Sequence, residues 1–427
     1  MGHFRLLVVG NAISAYGSYL NMVALNVFVY QVTGSALTAG LFMAVRLITS
    51  VLSGFVSGRL VSRYDRKRLM VCADLTQAAA LVVLLLAPDG ARVALLFALA
   101  VGTGACSTLS QVALRSSVPE IVGADLRTRA NGLLVTGRSL AMIAGFASAG
   151  VVVAEFGYTA AFALDAGTFA VSATILFLLP IRTRAAAGDD AAGSTAADAA
   201  GTGRWASLAL LKAAPLLAVM VAVRAADGLG SSSHNVALPI YSSALDPSHP
   251  ATFVSQFWAT WAIGNIVAQQ VCSRRTRKTG WSPGERAFAL GSCVMSAAFI
   301  VVFSGLPAVP AAVAALVAGM ADGFTEIAYV SRLQAAPDEQ RGRLFGLSAS
   351  AENSGFGLGM IVSAALLERY SPLQVVGAFQ GLAIVLCVAL LVVLSRGRAL
   401  FPKEPPARES GGPAPGREVT AAEGGTS

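Results

Sequence analysis

Charged residues lie inside several long apolar stretches of this sequence, where burial makes each charge costly. Asp322 and Glu326 are four residues apart, so on a helix they share one face. Two carboxylates on one face of a partly dry site cannot easily both ionise, and one is expected to hold a proton near neutral pH. Asp227 lies three residues after Arg224 and can exchange that arginine for a proton. We predict proton binding at Glu326, Asp227 or Asp322, in that order of preference.

Structural roles are the alternative for the same charges. Arg224 and Asp227 can form a self-neutralising pair, which lowers the cost of burying both. Arg46 or Arg138, each inside another apolar stretch, can neutralise the acids of the Asp322 pair. The sequence alone leaves both alternatives open.

Other polar and aromatic side chains within the apolar stretches are candidates to contact a ligand. Aromatic rings suit flat or amphipathic molecules, although packing against lipid is the alternative for a tryptophan. These candidates are Asn11, Tyr16, Asn21, Trp258, Trp261, Glu352 and Asn353.

The composition shows what kind of protein must position these groups. The chain has 427 residues, of which 55% are hydrophobic and only 13% charged, and its mean hydropathy is +0.66. Soluble domains carry roughly 25% charged residues, so a soluble enzyme, a secreted disulfide scaffold and a disordered protein are all disfavoured. Five cysteines and three histidines lack metal-ligand spacing, and no phosphate-binding loop or nucleophile–base set is visible. We expect no enzyme activity, no cofactor and no metal.

Twelve apolar stretches are long enough to cross a membrane, which takes about 20 residues each. The sequence therefore predicts an all-α membrane protein with twelve transmembrane helices. The stretches are Leu6–Tyr30, Leu37–Val56, Leu69–Ala87, Val93–Leu114, Leu133–Ala154, Ala160–Leu179, Ala213–Ile240, Phe253–Val271, Ala287–Phe303, Val309–Val330, Leu344–Leu367 and Val375–Leu394.

The distribution of basic residues supports this count. Of the 31 Lys and Arg residues, 26 fall in the termini and the even-numbered connectors, and the six other connectors hold only Arg92 and Arg369. Cytoplasmic loops are enriched in Lys and Arg. We therefore expect both termini in the cytoplasm and a multi-pass protein of the cell membrane.

The chain divides into two related halves. A small-residue stretch at 185–203 has nothing to bury and predicts a flexible linker. The basic cluster after the second stretch and the LRTRANGL segment after the fourth each have a counterpart about 215 residues later. We predict a six-helix half at 1–180, a cytoplasmic linker at 181–212, a second half at 213–396 and a disordered tail at 397–427. Such internal duplication is typical of transporters that bind substrate between the halves.

The segment GRLVSRYDRKR at 58–68 resembles the loop between helices 2 and 3 of the major facilitator superfamily. Together with VYQVTGSAL, LRTRANGL, AFALDAGTFAVSA and DEQRGRLFGL, it makes the chain similar to the branch of enterobactin exporters and macrolide-efflux proteins. The chain departs from the family pattern at Ser62, where the loop motif usually has an acid, and at Phe146, where many proton antiporters have proline.

The resemblance implies that the loop takes part in gating. Anchoring to anionic lipid, worth about 1 kcal/mol per basic residue, is the alternative. The gating residues it implies are Gly58, Arg59, Arg63, Asp65, Arg66 and Lys67.

The sequence and the resemblance together predict a secondary transporter. It would export an amphipathic small molecule, such as a drug, antibiotic, siderophore or other secondary metabolite, by alternating access coupled to protons. An importer or uniporter of a small metabolite with the same fold is the first alternative, and a transporter-like sensor without flux is the second. The expected partners are the substrate, protons and membrane lipid, with no nucleic acid, and the protein is expected to be a monomer.

The charge distribution gives a direct test of the topology. A thiol label at position 193 should react only from the cytoplasmic side, and one at position 248 only from outside. Labelling of intact cells and of inverted vesicles measures both. Access to the two positions from the same side would contradict the twelve-helix topology.

Overall fold

The computed structural model describes residues 2–123, 126–180, 215–281, 283–334 and 338–395. All regular secondary structure in these ranges is helical, including a short 3-10 turn at Asp89–Ala91. The helices are α1 (Gly2–Thr33), α2 (Ala36–Arg63), α3 (Arg66–Leu85), α4 (Arg92–Val122), α5 and α6 (together Arg127–Leu178), α7 (Pro215–Leu245), α8 (Pro250–Thr279), α9 (Glu285–Val302), α10 (Ala308–Gln334), α11 (Asp338–Leu367) and α12 (Pro372–Ser395).

A single glycine separates α5 from α6. Gly157 has φ 78° and ψ 175°, a conformation that residues with a side chain rarely adopt. It divides the 52-residue segment into α5 (127–156) and α6 (158–178). A straight helix of that length would extend roughly 78 Å, far more than a membrane is thick. The turn therefore gives two crossings, as the sequence predicted.

The twelve predicted crossings are confirmed in number and order. Eight helical segments of the described chain are long and apolar enough to cross a membrane, and α5 with α6 is one of them. Helices α7, α8 and α11 have 31, 30 and 30 residues but carry more polar side chains. These three line the charged cavity described below, so their polarity faces protein. Most helices extend several residues past the predicted apolar stretches, because polar residues outside the hydrocarbon core of the membrane remain helical.

Successive helices run antiparallel, so their connections alternate between two faces. The basic face carries the α2–α3, α4–α5, α8–α9 and α10–α11 connections, and we call the other one the opposite face. At the basic face, Arg66 pairs with Glu120 at the end of α4, while Lys67 Nζ donates to the Leu179 carbonyl at 2.6 Å. These contacts tie the start of α3 to the ends of α4 and α6.

Two six-helix halves make up the fold. Helices α1 to α6 pack on one another, as do α7 to α12, and the halves meet mainly where α2 packs on α11 and α5 on α8. The predicted linker at 181–212 and tail at 397–427 lie outside the described residues. The residue boundaries of the two halves remain our proposal.

The halves are in close contact at the opposite face. A Cβ at Gly40 of α2 would stand 2.3 Å from the Ala364 Cβ of α11, and one at Gly150 of α5 would stand 3.0 Å from the Thr252 Cα of α8. Only glycine allows helices to approach this closely. Ser255 Oγ of α8 also donates to the carbonyl of Phe146 at 2.5 Å.

An acid after the end of α11 adds a polar contact at the same face. Glu368 Oε1 accepts from the backbone N–H of Leu37 at 2.8 Å and from the hydroxyl of Ser35 at 2.9 Å. These two donors hold the pKa of Glu368 below its usual range. A depressed pKa means that the contact is present above the ordinary glutamate pKa and is lost only as the pH falls through the lowered value.

The basic face is open by comparison. Gly58 of α2, Gly132 of α5 and Gly346 of α11 have no atom within 4 Å of the place where a Cβ would stand. Helices α4 and α10 make no extensive contact with the other half in the described residues. We infer a conformation that is closed at the opposite face and open toward the basic face.

The glycine contacts predict how the closed face responds to a methyl group. Gly40→Ala should force α2 away from α11 and shift the population toward separation of the halves at the opposite face. Spin labels at positions 33 and 371 would report this as a longer mean distance in a cysteine-free background. Gly167→Ala on α6 is the matched control and should leave the distance unchanged, because its methyl group meets open space away from both faces between the halves. Equal distances in both variants would contradict the packing.

Candidate functional site

Arg224 is the centre of an ion cluster inside the second half. Its Nη1 lies 3.1 Å from Asp227 Oδ2 on α7, and its Nη2 lies 2.6 Å from Glu326 Oε2 on α10 and 3.0 Å from Glu352 Oε1 on α11. The arginine side chain is 9% exposed and its guanidinium carbon is 5.5 Å from the centre of the Tyr329 ring. One guanidinium is therefore shared by three carboxylates from three helices.

The three acids differ in their access to solvent. The Asp227 side chain is 10% exposed, whereas those of Glu326 and Glu352 are 44% and 39% exposed. Asp227 Oδ1 is buried and has no hydrogen-bond partner among the described residues. The cluster carries two more negative than positive charges when all the groups ionise, so it can accept protons without losing its salt bridges.

Asp322 belongs to the same cavity but is held differently. Its Oδ2 accepts from Asn265 Nδ2 at 3.2 Å, and Asn265 Oδ1 in turn accepts from Gln269 at 2.6 Å. In the ranges that the structure covers, no basic side chain lies within ion-pair distance of Asp322. The cation beside Glu326 is Arg224, and the alternative partners Arg46 and Arg138 lie in the first half, because α2 and α5 present them to another cavity.

A cavity of about 450 Å³ connects these charges to an aromatic wall. Trp258 and Trp261 pack edge to face with ring centres 5.3 Å apart, and the His234 ring stacks on Phe299 at 3.9 Å. The cavity wall is apolar where the aromatic rings lie, and it carries the acidic side chains near Arg224. The predicted residues that line this cavity are Arg224, Asp227, Trp258, Trp261, Asp322, Glu326, Glu352 and Asn353.

The first half contains a second cavity, of about 570 Å³. Asn11, Asn21, Arg46 and Arg138 line it. Asn21 Nδ2 donates to the buried Asp165 Oδ2 at 2.7 Å. Tyr16 is the predicted ligand-contacting residue that lines neither cavity, because its hydroxyl lies 3.0 Å from Ser148 Oγ on α5.

The basic loop contacts helices of its own half. Asp65 caps α3, with Oδ1 accepting from the backbone N–H of Arg68 at 3.0 Å. Gly58 meets open space, Arg59 is exposed, and the Arg63 guanidinium lies 5.9 Å from the ring of its neighbour Tyr64. Together with the Arg66 and Lys67 contacts, this makes the loop a brace across the basic face of the first half.

Comparison with known proteins agrees with this architecture. A family model described as Major Facilitator Superfamily matches residues 7–336, which is most of the chain. The chain belongs to the major facilitator superfamily. It is therefore a multi-pass membrane protein of a transporter family, which implies a small-molecule substrate. A search of curated proteins found no sequence relative.

Solved structures of transporters share the fold. The crystal structure of the nucleoside transporter NupG is similar with a TM-score of 0.73 at 15% identity, covering 92% of this chain and 99% of that one. An auto-inhibited POT family peptide transporter gives 0.71 at 12% identity, with 95% and 99% covered. The peptide transporter POT in complex with sulfate gives 0.68 at 17% identity, with 92% and 94% covered. Identities this low show the fold alone.

Two features of the site were missed in the sequence. Glu352 was a candidate for ligand contact, but its pairing with Arg224 depends on the packing of α11 against α7, which no local spacing reveals. The Ser255 hydrogen bond to Phe146 joins residues more than a hundred positions apart. Glu352 and Ser255 are polar residues inside apolar stretches, and this was the sequence feature that pointed to a buried partner for each.

Because three acids share the Arg224 guanidinium, we expect non-additive changes in the free energy of unfolding when Arg224 and Asp227 are replaced. Arg224→Gln leaves Asp227 buried without a cation and should lower the free energy of unfolding by about 3–5 kcal/mol. Adding Asp227→Asn should recover much of that loss, because the unpaired buried charge is gone. Denaturant unfolding of the purified protein in detergent measures both, with Arg59→Gln as an exposed control of equal charge change. A double variant as unstable as the sum of the single variants would contradict the pairing.

Proposed function

We propose that this protein exports an amphipathic small molecule by alternating access and uses the proton gradient to drive it. It works as a monomer in the cell membrane, with both termini in the cytoplasm. The observation that carries the proposal is the sharing of Arg224 among Asp227, Glu326 and Glu352 inside a cavity. Such a site can exchange protons while the arginine always keeps a partner.

Proton binding changes which contacts the arginine makes. A proton on Glu326 weakens its charge-assisted bond to Arg224 Nη2 and leaves the guanidinium to Glu352 and Asp227. Because Glu326 and Glu352 lie on α10 and α11, a change of partner alters the attraction between α7 and each of these helices. The unpartnered Asp227 Oδ1 offers a second position for a proton. Protonation there lets Asp227 Oδ2 stay in contact with Arg224. Asp322 is the third candidate and is held by Asn265.

The cavity wall supports an amphipathic substrate. Trp258, Trp261 and Phe299 offer flat apolar surface next to the acids, so a molecule with an apolar body and a polar group fits both sides. The resemblance to the branch of enterobactin exporters and macrolide-efflux proteins favours a drug, antibiotic, siderophore or other secondary metabolite. The similar solved transporters carry nucleosides or peptides, which are also polar molecules of modest size.

The charge distribution gives the orientation of the cavity in the membrane, and the direction of transport is our proposal. The basic face is the cytoplasmic one by the enrichment of Lys and Arg in cytoplasmic loops. A conformation closed at the opposite face would take substrate from the cytoplasm, which is compatible with export. An importer passes through the same conformation when it releases substrate. Flux measured in inverted and right-side-out vesicles separates these two functions, and absence of flux in both would favour a sensor.

The basic loop gives this cycle a gate. In the described state Asp65, Arg66 and Lys67 brace α3, α4 and α6 against one another. We propose that Gly58, Arg59 and Arg63 come into contact with the second half when the basic face closes, since they are exposed or unpacked here. The brace keeps the first half rigid while the two halves move.

Amide substitutions test the coupling acids. A neutral amide imitates the protonated carboxyl permanently, so substrate should still bind or exchange while pH-gradient-driven efflux fails. The measurement is efflux and binding in proteoliposomes for Glu326→Gln, Asp227→Asn and Asp322→Asn, with Glu352→Gln added because it shares Arg224. Asp246→Asn, in the α7–α8 connection where the side chain is half exposed, is the control and should keep full efflux.

The outcome is decisive for the coupling site. Loss of gradient-driven efflux with retained exchange in at least one cavity variant supports the proposal. Normal gradient-driven efflux in all four would mean that these acids do not couple transport to protons.

A further inference from the structure

Three arginines line the cavity of the first half, and one of them, Arg46, is attracted by the buried Asp165. Arg46 of α2, Arg115 of α4 and Arg138 of α5 all contribute to its wall. Arg138 Nε donates to the Tyr19 hydroxyl at 2.9 Å, and its Nη1 donates to Gln111 Oε1 at 3.3 Å. Within the described ranges, none of the three forms an ion pair. Uncharged acceptors leave a guanidinium with most of its positive charge available to a ligand.

The acids of the same wall are buried. Asp165 is 1% exposed and is held by the side chains of Asn21 and Thr168, and Asp74 on α3 is 5% exposed. Arg115 and Arg138 are exposed to the cavity, so the positive groups are the more accessible ones. The surface that a ligand meets in the first half is therefore basic.

The second half has the reverse balance. Its cavity presents the carboxylates of Asp227, Asp322, Glu326 and Glu352 against the one guanidinium of Arg224. An anionic group is repelled there and attracted to the first half. The two cavities thus discriminate between the two ends of a molecule that carries a charge.

The arginines also lie at different depths. Arg46 is ten residues from the opposite-face end of α2, which is roughly 15 Å along the axis, whereas Arg138 is roughly 27 Å and Arg115 roughly 35 Å from the corresponding ends of α5 and α4. They form a series from the open basic face to the middle of the bundle. Such a series of like charges draws an oppositely charged group inward.

We propose that the first half contains an anion-binding subsite that takes a carboxylate, sulfonate or phosphate group of the substrate. Arg46 and Arg138 donate charge-assisted hydrogen bonds to this group, and Arg115 attracts it at the entrance. The buried Ser110 hydroxyl, which lines the cavity without a hydrogen-bond partner among the described residues, supplies a further donor. This inference rests on the proposed transport function and adds the chemical class of the substrate: an amphipathic molecule with an anionic group.

Binding of two matched probes tests the subsite without needing transport. The full-length protein in nanodiscs of uncharged lipid is titrated with naphthalene-2-sulfonate and with naphthalene-2-sulfonamide, and binding is followed by calorimetry. The two probes have nearly the same shape and differ in charge. The wild-type protein should bind the sulfonate about tenfold more tightly, which corresponds to about 1.4 kcal/mol, and added sulfate should compete.

Variants assign the preference to the arginines. Arg46→Gln and Arg138→Gln should each reduce it to about twofold or less, roughly 0.4 kcal/mol, and Arg46→Lys should keep part of it because the charge remains. Arg277→Gln removes the same charge at the basic face outside both cavities and should keep the full preference. Equal binding of both probes by the wild type, or an unchanged preference in both cavity variants, would overturn the subsite.

The proposed function and the subsite fail separately. If the sulfonate binds with the expected preference but proteoliposomes show no flux, the subsite holds and the transport proposal fails. If flux is present but the probes bind equally, the transport proposal holds and the anionic substrate class is rejected.

Discussion

The burial of a guanidinium at membrane depth is the constraint on which the second half depends. Arg224 cannot lose its charge, and hydrocarbon offers it no solvation, so negative groups must come from the protein. Asp227 on the same helix provides one, and α10 and α11 provide Glu326 and Glu352. The polarity of α7 and α11 follows from this need. So does the open cavity, because partly exposed acids can exchange protons with water.

The contact between the halves depends on close helix packing and a few hydrogen bonds rather than on ion pairs. At the opposite face the helices approach through glycines, with Gly40 against α11 and Gly150 against α8, and through the Ser255 and Glu368 hydrogen bonds. These contacts are short and local, so they can be lost together without unfolding either half. The halves themselves are held by braces such as Arg66 with Glu120. A rigid half with a releasable contact is what alternating access requires.

The fold could be predicted almost entirely from sequence, and the site only in part. Apolar length and the distribution of Lys and Arg gave twelve crossings, and helical spacing placed Arg224 beside Asp227 and Asp322 on the face of Glu326. Pairing between helices could not be read in this way, because spacing along one helix says nothing about its neighbour. For this reason the sequence offered Arg46 and Arg138 as alternative partners of Asp322 and Glu326. In the structure Asn265 contacts Asp322 and Arg224 contacts Glu326. Phe146, where proton antiporters often have proline, packs its ring on Trp258 at 5.7 Å, and only the structure shows this use.

Protonation of the Arg224 cluster should control which face is open. Spin labels on the basic-face ends of α4 and α10, in nanodiscs, give the distance between the halves across the opening as the pH is varied. The wild-type distance distribution should shift between two populations with pH. At least one of the Glu326→Gln, Glu352→Gln and Asp227→Asn variants should remain in the low-pH distribution at every pH. A wild-type distribution that does not change with pH, or variants that all titrate as the wild type does, would contradict the account.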